Sequence, residues 1–415
     1  MKNNFLVDLG VVIGQKVSER KTRKNVAAAN ETNRNVPTYE FVDAAAILTE
    51  DTYNQNIIAS GMFAHYRNMV LKNAIYNCAK NNRPTIVLHK GNTALEAFAS
   101  SYIGGCVISN AQNKLLDPMK GFELWEINTL LEGVAGTRFR LDPKYQRMMN
   151  VVYEIKMKQA TSSYRALTGC NFDLLDTVLD KKRTSNQITS AEYNRLNADL
   201  LMGQSEATTL TFLIQQMKNQ LSGLVGYADE AESILSAVQS KKVMLIDLQS
   251  SGNQMALDFI FSSIVVAADR GEPFTLIFDN VSSVNNENYK KILEGSCYNI
   301  NYVISADDFF SMLGKDELYK LPASRASKVF VFRHSDNNSC EKWAKQFGEY
   351  DKKEIEENKN LGIGGGGAFG NGGISVHDKK DYRIPPKDIL NLNNNAAFIY
   401  DAITHLLLYT YDFRE

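Results

Sequence analysis

The sequence holds little that would serve as a covalent or metal staple. Its five cysteines (Cys78, Cys106, Cys170, Cys297, Cys340) are odd in number, widely spaced and free of any CxxC pair. That excludes a disulfide frame and a cysteine zinc site, and reads as reduced thiols in a cytoplasmic chain. The five histidines (His65, His89, His334, His377, His405) form no HxH or HExxH pair, so a metal site has no support. No apolar run reaches the roughly eighteen residues of a membrane-crossing helix. The opening MKNNFLVDLGVVIGQK is interrupted by Asp8 and followed by charge, which argues against a secretory signal. Net charge is lacking too: 46 Lys+Arg against 47 Asp+Glu leaves -1. Nucleic-acid binding through the overall field is thereby excluded; it would need a local patch or an assembled ring. Proline is absent between Pro143 and Pro273, which removes helix breakers from the middle of the chain.

What is present is globular. The chain has 415 residues, 44% hydrophobic and 22% charged, enough for two or three units. Residues 1–40 read as an N-terminal polar arm. Its basic cluster Lys16, Arg20, Lys21, Arg23, Lys24 fits a solvated face better than an acidic partner.

Residues 41–114 alternate. QNIIAS (55–60) is an apolar strand. An amphipathic helix follows, with Leu71, Ala74, Ile75 and Cys78 at helical spacing. RPTIVLH (83–89) is a buried strand, Thr93–Ala99 is helical, and GGCVIS (104–109) is a third strand. Strand, helix, strand in this span is a βαβ unit and predicts a parallel sheet.

Residues 115–235 carry helical periods and almost no strand signal. Leu210, Leu213, Ile214, Met217, Leu221 and Leu224 form one stripe, expected to be core. Trp125 is expected to pack. The segment reads as an all-helical insertion.

Residues 236–415 return to alternation. KVMLIDL (242–248), PFTLIFD (273–279), INYVIS (300–305) and KVFVFR (328–333) are strands. Helices are expected over 254–268, near Asp307–Leu313, and over Asn337–Phe347 with Gly348 as its stop. AAFIYD (396–401) is read as the last strand. Glycine fills 8 of the 12 positions 362–373. This loop follows the segment DKKEIEENKN, read as strandless, and opens no helix, so it fits a linker and not a phosphate cradle.

Chemistry in an open parallel sheet gathers beyond the carboxyl ends of the strands. Two such ends stand out. After IIAS comes Gly61-Met62-Phe63-Ala64-His65-Tyr66-Arg67-Asn68, onto which GxxxxGK[ST] can be laid. Gly61 takes the first glycine, Tyr66 the second, Arg67 the lysine and Asn68 the hydroxyl residue. The second end is Asp279-Asn280, an acidic strand end whose following position is an amide. Each departure weakens hydrolysis. A tyrosine fills the space where backbone must approach phosphate. Arginine changes the reach of the cation. An asparagine carbonyl is a poorer magnesium ligand than a hydroxyl. Asn280 accepts no proton from an attacking water.

The order of these segments resembles the nucleotide-binding domain of TraG/TraD-type conjugative coupling proteins and their HerA/FtsK-like relatives. NIIASGMFAHYRNMVLKNAI stands where that family has strand, P-loop and helix. PTIVLHKGN is similar to the next strand, with Lys90-Gly91 kept and His89 and Asn92 in place of acids. PFTLIFDN resembles the acidic strand, and NINYVISADDFFSMLG the sensor strand. The resemblance covers most of residues 40–405. It implies an α/β, P-loop NTPase-like (RecA/HerA-type), mostly parallel sheet with an all-helical insertion. It implies ring assembly with protein partners of a secretion or translocation complex, DNA passing through an assembled ring, and a cytoplasmic place peripheral to a membrane complex. Arg333 and Arg325 are candidates for trans-acting arginine fingers, though surface ion pairs are the commoner role.

The residues therefore point first to a chain that has lost ATP hydrolysis and acts as a scaffold or assembly subunit, with no cofactor expected. Two alternatives stand beside it. One is a divergent ATP-driven motor, with ATP at Gly61, His65, Tyr66, Arg67 and Asn68 and magnesium at Asp279. The other is a module that binds cargo through the helical insertion.

Overall fold

The computed structural model describes residues 20, 21, 23–31, 39–48, 51–136, 139–226, 229–251, 254–359 and 372–410. Ten strands build the main sheet: β1 (Glu40–Phe41), β2 (Ile57–Ser60), β3 (Thr85–His89), β4 (Val107–Ser109), β5 (Val243–Asp247), β6 (Phe274–Asp279), β7 (Ile300–Ala306), β8 (Lys328–Val331), and, after a separate ribbon of β9 (Glu349–Lys359) and β10 (Gly372–Tyr382), β11 (Ala397–Asp401) and β12 (Leu406–Thr410). Their spatial order is β1-β12-β11-β8-β2-β7-β6-β3-β5-β4. From β8 to β4 every pairing is parallel. β11 runs antiparallel to both β8 and β12.

The strand residues explain the layering. Side chains alternate across a sheet. Ile58, Ile86, Leu88, Ile246 and Phe278 fall into one core, while Ile57, Ala59, Val87, Leu245 and Ile277 fall into the other. The second core is closed by helices Ala44–Leu48, Ala64–Lys80 and Thr93–Tyr102. The first is closed by helix Gln254–Asp269 and by the helices that lie between β4 and β5. Those helices run from Leu124 to Leu221, followed by Ile234–Gln239, and the six residues of the Leu210–Leu224 stripe are all buried. They share one continuous core with the sheet.

Glu126, on helix Leu124–Ala135, is fully buried and takes two bonds from Arg270, Nε at 2.5 Å and a terminal nitrogen at 2.9 Å. This ties the helical segment to the turn before β6.

Three expectations are corrected. DKKEIEENKN is not strandless: its first nine residues belong to β9, which pairs antiparallel with β10. The ribbon stands outside the main sheet, so its alternation is polar and offers no apolar period to read. Ion pairs Lys352–Asp381 (3.2 Å) and Lys379–Glu354 (3.3 Å) tie its strands together. The strand 397–401 is not the last, because β12 follows it. Trp125 is 49% exposed, with the Arg270 guanidinium over its ring. Of the glycine tract, residues 362–371 lie outside the described residues and Gly372 and Gly373 open β10. Lys16 also lies outside them, and Arg20, Lys21, Arg23 and Lys24 are exposed.

Candidate functional site

The carboxyl ends of β2, β3, β6 and β7 meet in one polar cluster. β2 leads into a turn of only three residues, 61–63, before the helix begins at Ala64. Gly61 has φ +148°, a conformation that side chains rarely adopt. A Cβ there would stand 2.5 Å from the Cβ of Phe332. The turn's amides are already used. Gly61 donates to the Ala306 carbonyl at 3.1 Å and Met62 to the Arg333 carbonyl at 2.9 Å.

Because the helix starts early, Tyr66, Arg67 and Asn68 lie within its first two turns. A side chain there leans back toward the helix start. Arg67 is fully buried and follows that path: it donates to the Gly61 carbonyl, to the Asp307 carboxylate and, through Nε, to Ser305 Oγ at 3.2 Å. The Asp307 side chain is 67% exposed.

Ser305 continues the chain of bonds by donating to Asp279 Oδ1 at 2.8 Å. The other Asp279 oxygen accepts from Asn92 Nδ2 at 2.6 Å. Asn92 also exchanges amide bonds with Asn68, at 2.8 and 3.3 Å. Asn280 takes the left-handed conformation (φ +52°), which asparagine tolerates. Its side-chain oxygen accepts from the Asp307 amide at 2.9 Å, and its Nδ2 faces Asp307 Oδ1 at 3.4 Å.

Gly61, Arg67, Asn68, Asp279 and Asn280 therefore come together as a single network. The other two sequence candidates turn elsewhere. His65 is exposed, its ring 5.1 Å from Tyr66, and Tyr66 stacks on Phe332 at 6.3 Å.

Two histidines flank the cluster. His334 is buried, bonded to the Phe332 carbonyl at 2.8 Å and to Ser60 Oγ at 2.9 Å, and Trp343 Nε1 donates to its Nε2 at 3.3 Å. Burial pushes its pKa below the ordinary histidine value. His89 is pushed the same way by burial, against Asp247 and Glu96, and its Nδ1 accepts from the Asn92 amide at 3.1 Å. Arg333 donates to Asn394 at 3.2 Å on this edge. Arg325 sits at the opposite edge, where its carbonyl accepts from Asn56 just before β2.

The sequence reading missed Ser305 and Asp307. A signal was available: as with Asp279, an apolar strand runs into polar residues at its carboxyl end. Missed too was the cavity of about 490 Å³ lined by Glu132, Gln254, Asp258, Asn286 and Asn288, between helix Leu124–Ala135 and the loop after β6. Among the described residues no group of three His, Cys, Asp or Glu is placed to hold a metal ion, and no helix is long and apolar enough to cross a membrane.

No family model and no curated protein matches the sequence. Solved structures do. The unbound bacterial conjugative coupling protein TrwBdeltaN70 is 11% identical, covering 91% of this chain and 93% of that one, with a TM-score of 0.51. The plasmid coupling protein TrwB with ADP and Mg2+ is 14% identical over 93% and 92%, at 0.50. Its complex with the ATP analogue ADPNP is 12% identical over 91% and 94%, at 0.50. At such identities the likeness is one of fold, and by it the chain has the mostly parallel α/β fold of P-loop NTPases in the form seen in coupling protein TrwB.

Proposed function

We propose that this chain is a catalytically silent relative of the coupling proteins, acting as a scaffold or assembly subunit of a DNA or protein translocation complex of the type IV secretion kind. One observation carries the reading: Arg67, at the place of the phosphate-binding lysine, is fully buried and spent on Gly61, Ser305 and Asp307. A phosphate cradle needs a free cation and free backbone amides at one spot. Here the amides of Gly61 and Met62 are bonded to the Ala306 and Arg333 carbonyls, and the cation is neutralised by the protein's own Asp307 carboxylate. Both oxygens of Asp279 are likewise engaged, which leaves magnesium no ready ligand. The residues as arranged do not fit a magnesium nucleotide.

The test is calorimetric titration of the full chain with ATP and magnesium, with hydrolysis assayed in the presence of DNA. The expected result is neither binding nor turnover. Magnesium-dependent binding that disappears in Arg67→Ala would overturn the reading in favour of a divergent motor.

A second reading concerns where partners dock. Leu174 (52%), Leu201 (65%), Met202 (59%) and Phe212 (54%) are exposed on the helical segment and are the candidate contacts for a protein partner or cargo there. Leu201→Asp with Met202→Asp is expected to abolish pull-down of that partner while leaving the unfolding midpoint unchanged. Retained pull-down would remove the helical segment from consideration.

A further inference from the structure

We infer that Asp307 is an internal oxyanion, occupying on Arg67 the place that a phosphate group would take, and that this carboxylate is what closes the anion site. The inference rests on the proposed silent site and adds what silences it.

The two partners are unequal. Arg67 is fully buried, while the Asp307 side chain is 67% exposed. The cation is fixed in the protein and the anion comes to it from the solvent side. Arginine binds carboxylate and phosphate through the same planar donors, so one replaces the other without rebuilding the cation. Asn280 completes the arrangement. It accepts from the Asp307 amide at 2.9 Å and turns its Nδ2 toward the Asp307 carboxylate at 3.4 Å. The amide that follows the acidic strand end thus also clamps the carboxylate on Arg67.

The surroundings favour an anion once Asp307 is gone. Helix Ala64–Lys80 has no acidic residue in its first turn and no side-chain cap on its N-terminus. Asp279 meets the cation only through the Ser305 hydroxyl, and both of its oxygens are occupied. A tethered carboxylate has an effective concentration of order millimolar or more, which a dilute free anion does not match.

The experiment titrates pyrophosphate, and separately ATP with magnesium, into wild type, Asp307→Ala, Asp307→Asn and Asp307→Ala combined with Arg67→Met. Pyrophosphate affinity should rise about tenfold or more in Asp307→Ala, the gain should persist in Asp307→Asn, and it should vanish in the double variant. Asp307→Asn keeps the size of the side chain and serves if the alanine variant fails to fold. Titration of both single variants at the wild-type level would overturn the inference and leave the proposed function standing. Magnesium ATP binding by wild type would overturn the proposed function instead. A gain that survives Arg67→Met would place the anion elsewhere and also overturn the inference.

Discussion

Between the Arg67 guanidinium and the Asp279 carboxylate stands one hydroxyl, that of Ser305, 3.2 Å from the first and 2.8 Å from the second. The hydroxyl accepts from the cation and donates to the acid, so β7 joins the helix after β2 to the end of β6 without direct ion pairing. Ser305 is fully buried. Ser305→Ala leaves a buried donor and a buried acceptor short of a partner and should cost about 1–3 kcal/mol in urea unfolding. An unchanged midpoint would show that the relay is not structural.

Gly61 should tolerate no side chain. Its φ of +148° and the 2.5 Å approach of a Cβ to Phe332 both oppose alanine. Gly61→Ala should destabilise by about 1–3 kcal/mol. Gly104, where an added Cβ meets nothing within 4 Å, is the control and should stay within about 0.5 kcal/mol. Equal effects at the two positions would contradict the close approach.

Arg270→Ala strands the buried Glu126 carboxylate between the helical segment and the sheet. The expected loss is about 3 kcal/mol or more. Lys158→Ala, whose pair with Glu154 lies at the surface, should change stability by less than about 0.5 kcal/mol. A small effect at Arg270 would mean that the helical segment is held by apolar contact alone.

Excision of residues 140–225 should leave the remainder unable to fold. The removed helices line the same core as Ile86, Leu88 and Phe278 of the sheet, and their loss exposes that face. A cooperative unfolding transition in the excised chain would instead mark the helical segment as an independent unit.

Acid should weaken the fold through His89 and His334. Burial lowers both in the folded chain, while unfolded histidines titrate near about 6.5. As pH falls, the unfolded state takes up these protons first, so their stabilising contribution is present above that value and lost below it. Each contributes at most about 1.4 kcal/mol per pH unit. The denaturant midpoint should be lower at about pH 5 than at about pH 8, and His334→Gln combined with His89→Asn should flatten the slope. A slope unchanged in that variant would assign the acid sensitivity to carboxylates.

Much of this protein follows from local pattern. Apolar strands such as FTLIFD and VMLID, the helices between them and the core stripe Leu210–Leu224 declare themselves because burial on both faces demands continuous apolar runs and helix packing demands a 3.6-residue period. The order of those segments also carried the fold. The charged ribbon of β9 and β10 was illegible for the converse reason: strands outside the sheet have no buried face to mark them.

The state of the site was decided only in three dimensions. Arg67, Asn68, Asp279 and Asn280 could be named from their places along the chain, but nothing local says whether an arginine reaches outward or inward. That depends on Ser305 and Asp307, 238 and 240 residues away, which the pairing of β2 with β7 brings beside it. Sequence position supplied the cation; strand order supplied the carboxylate that neutralises it.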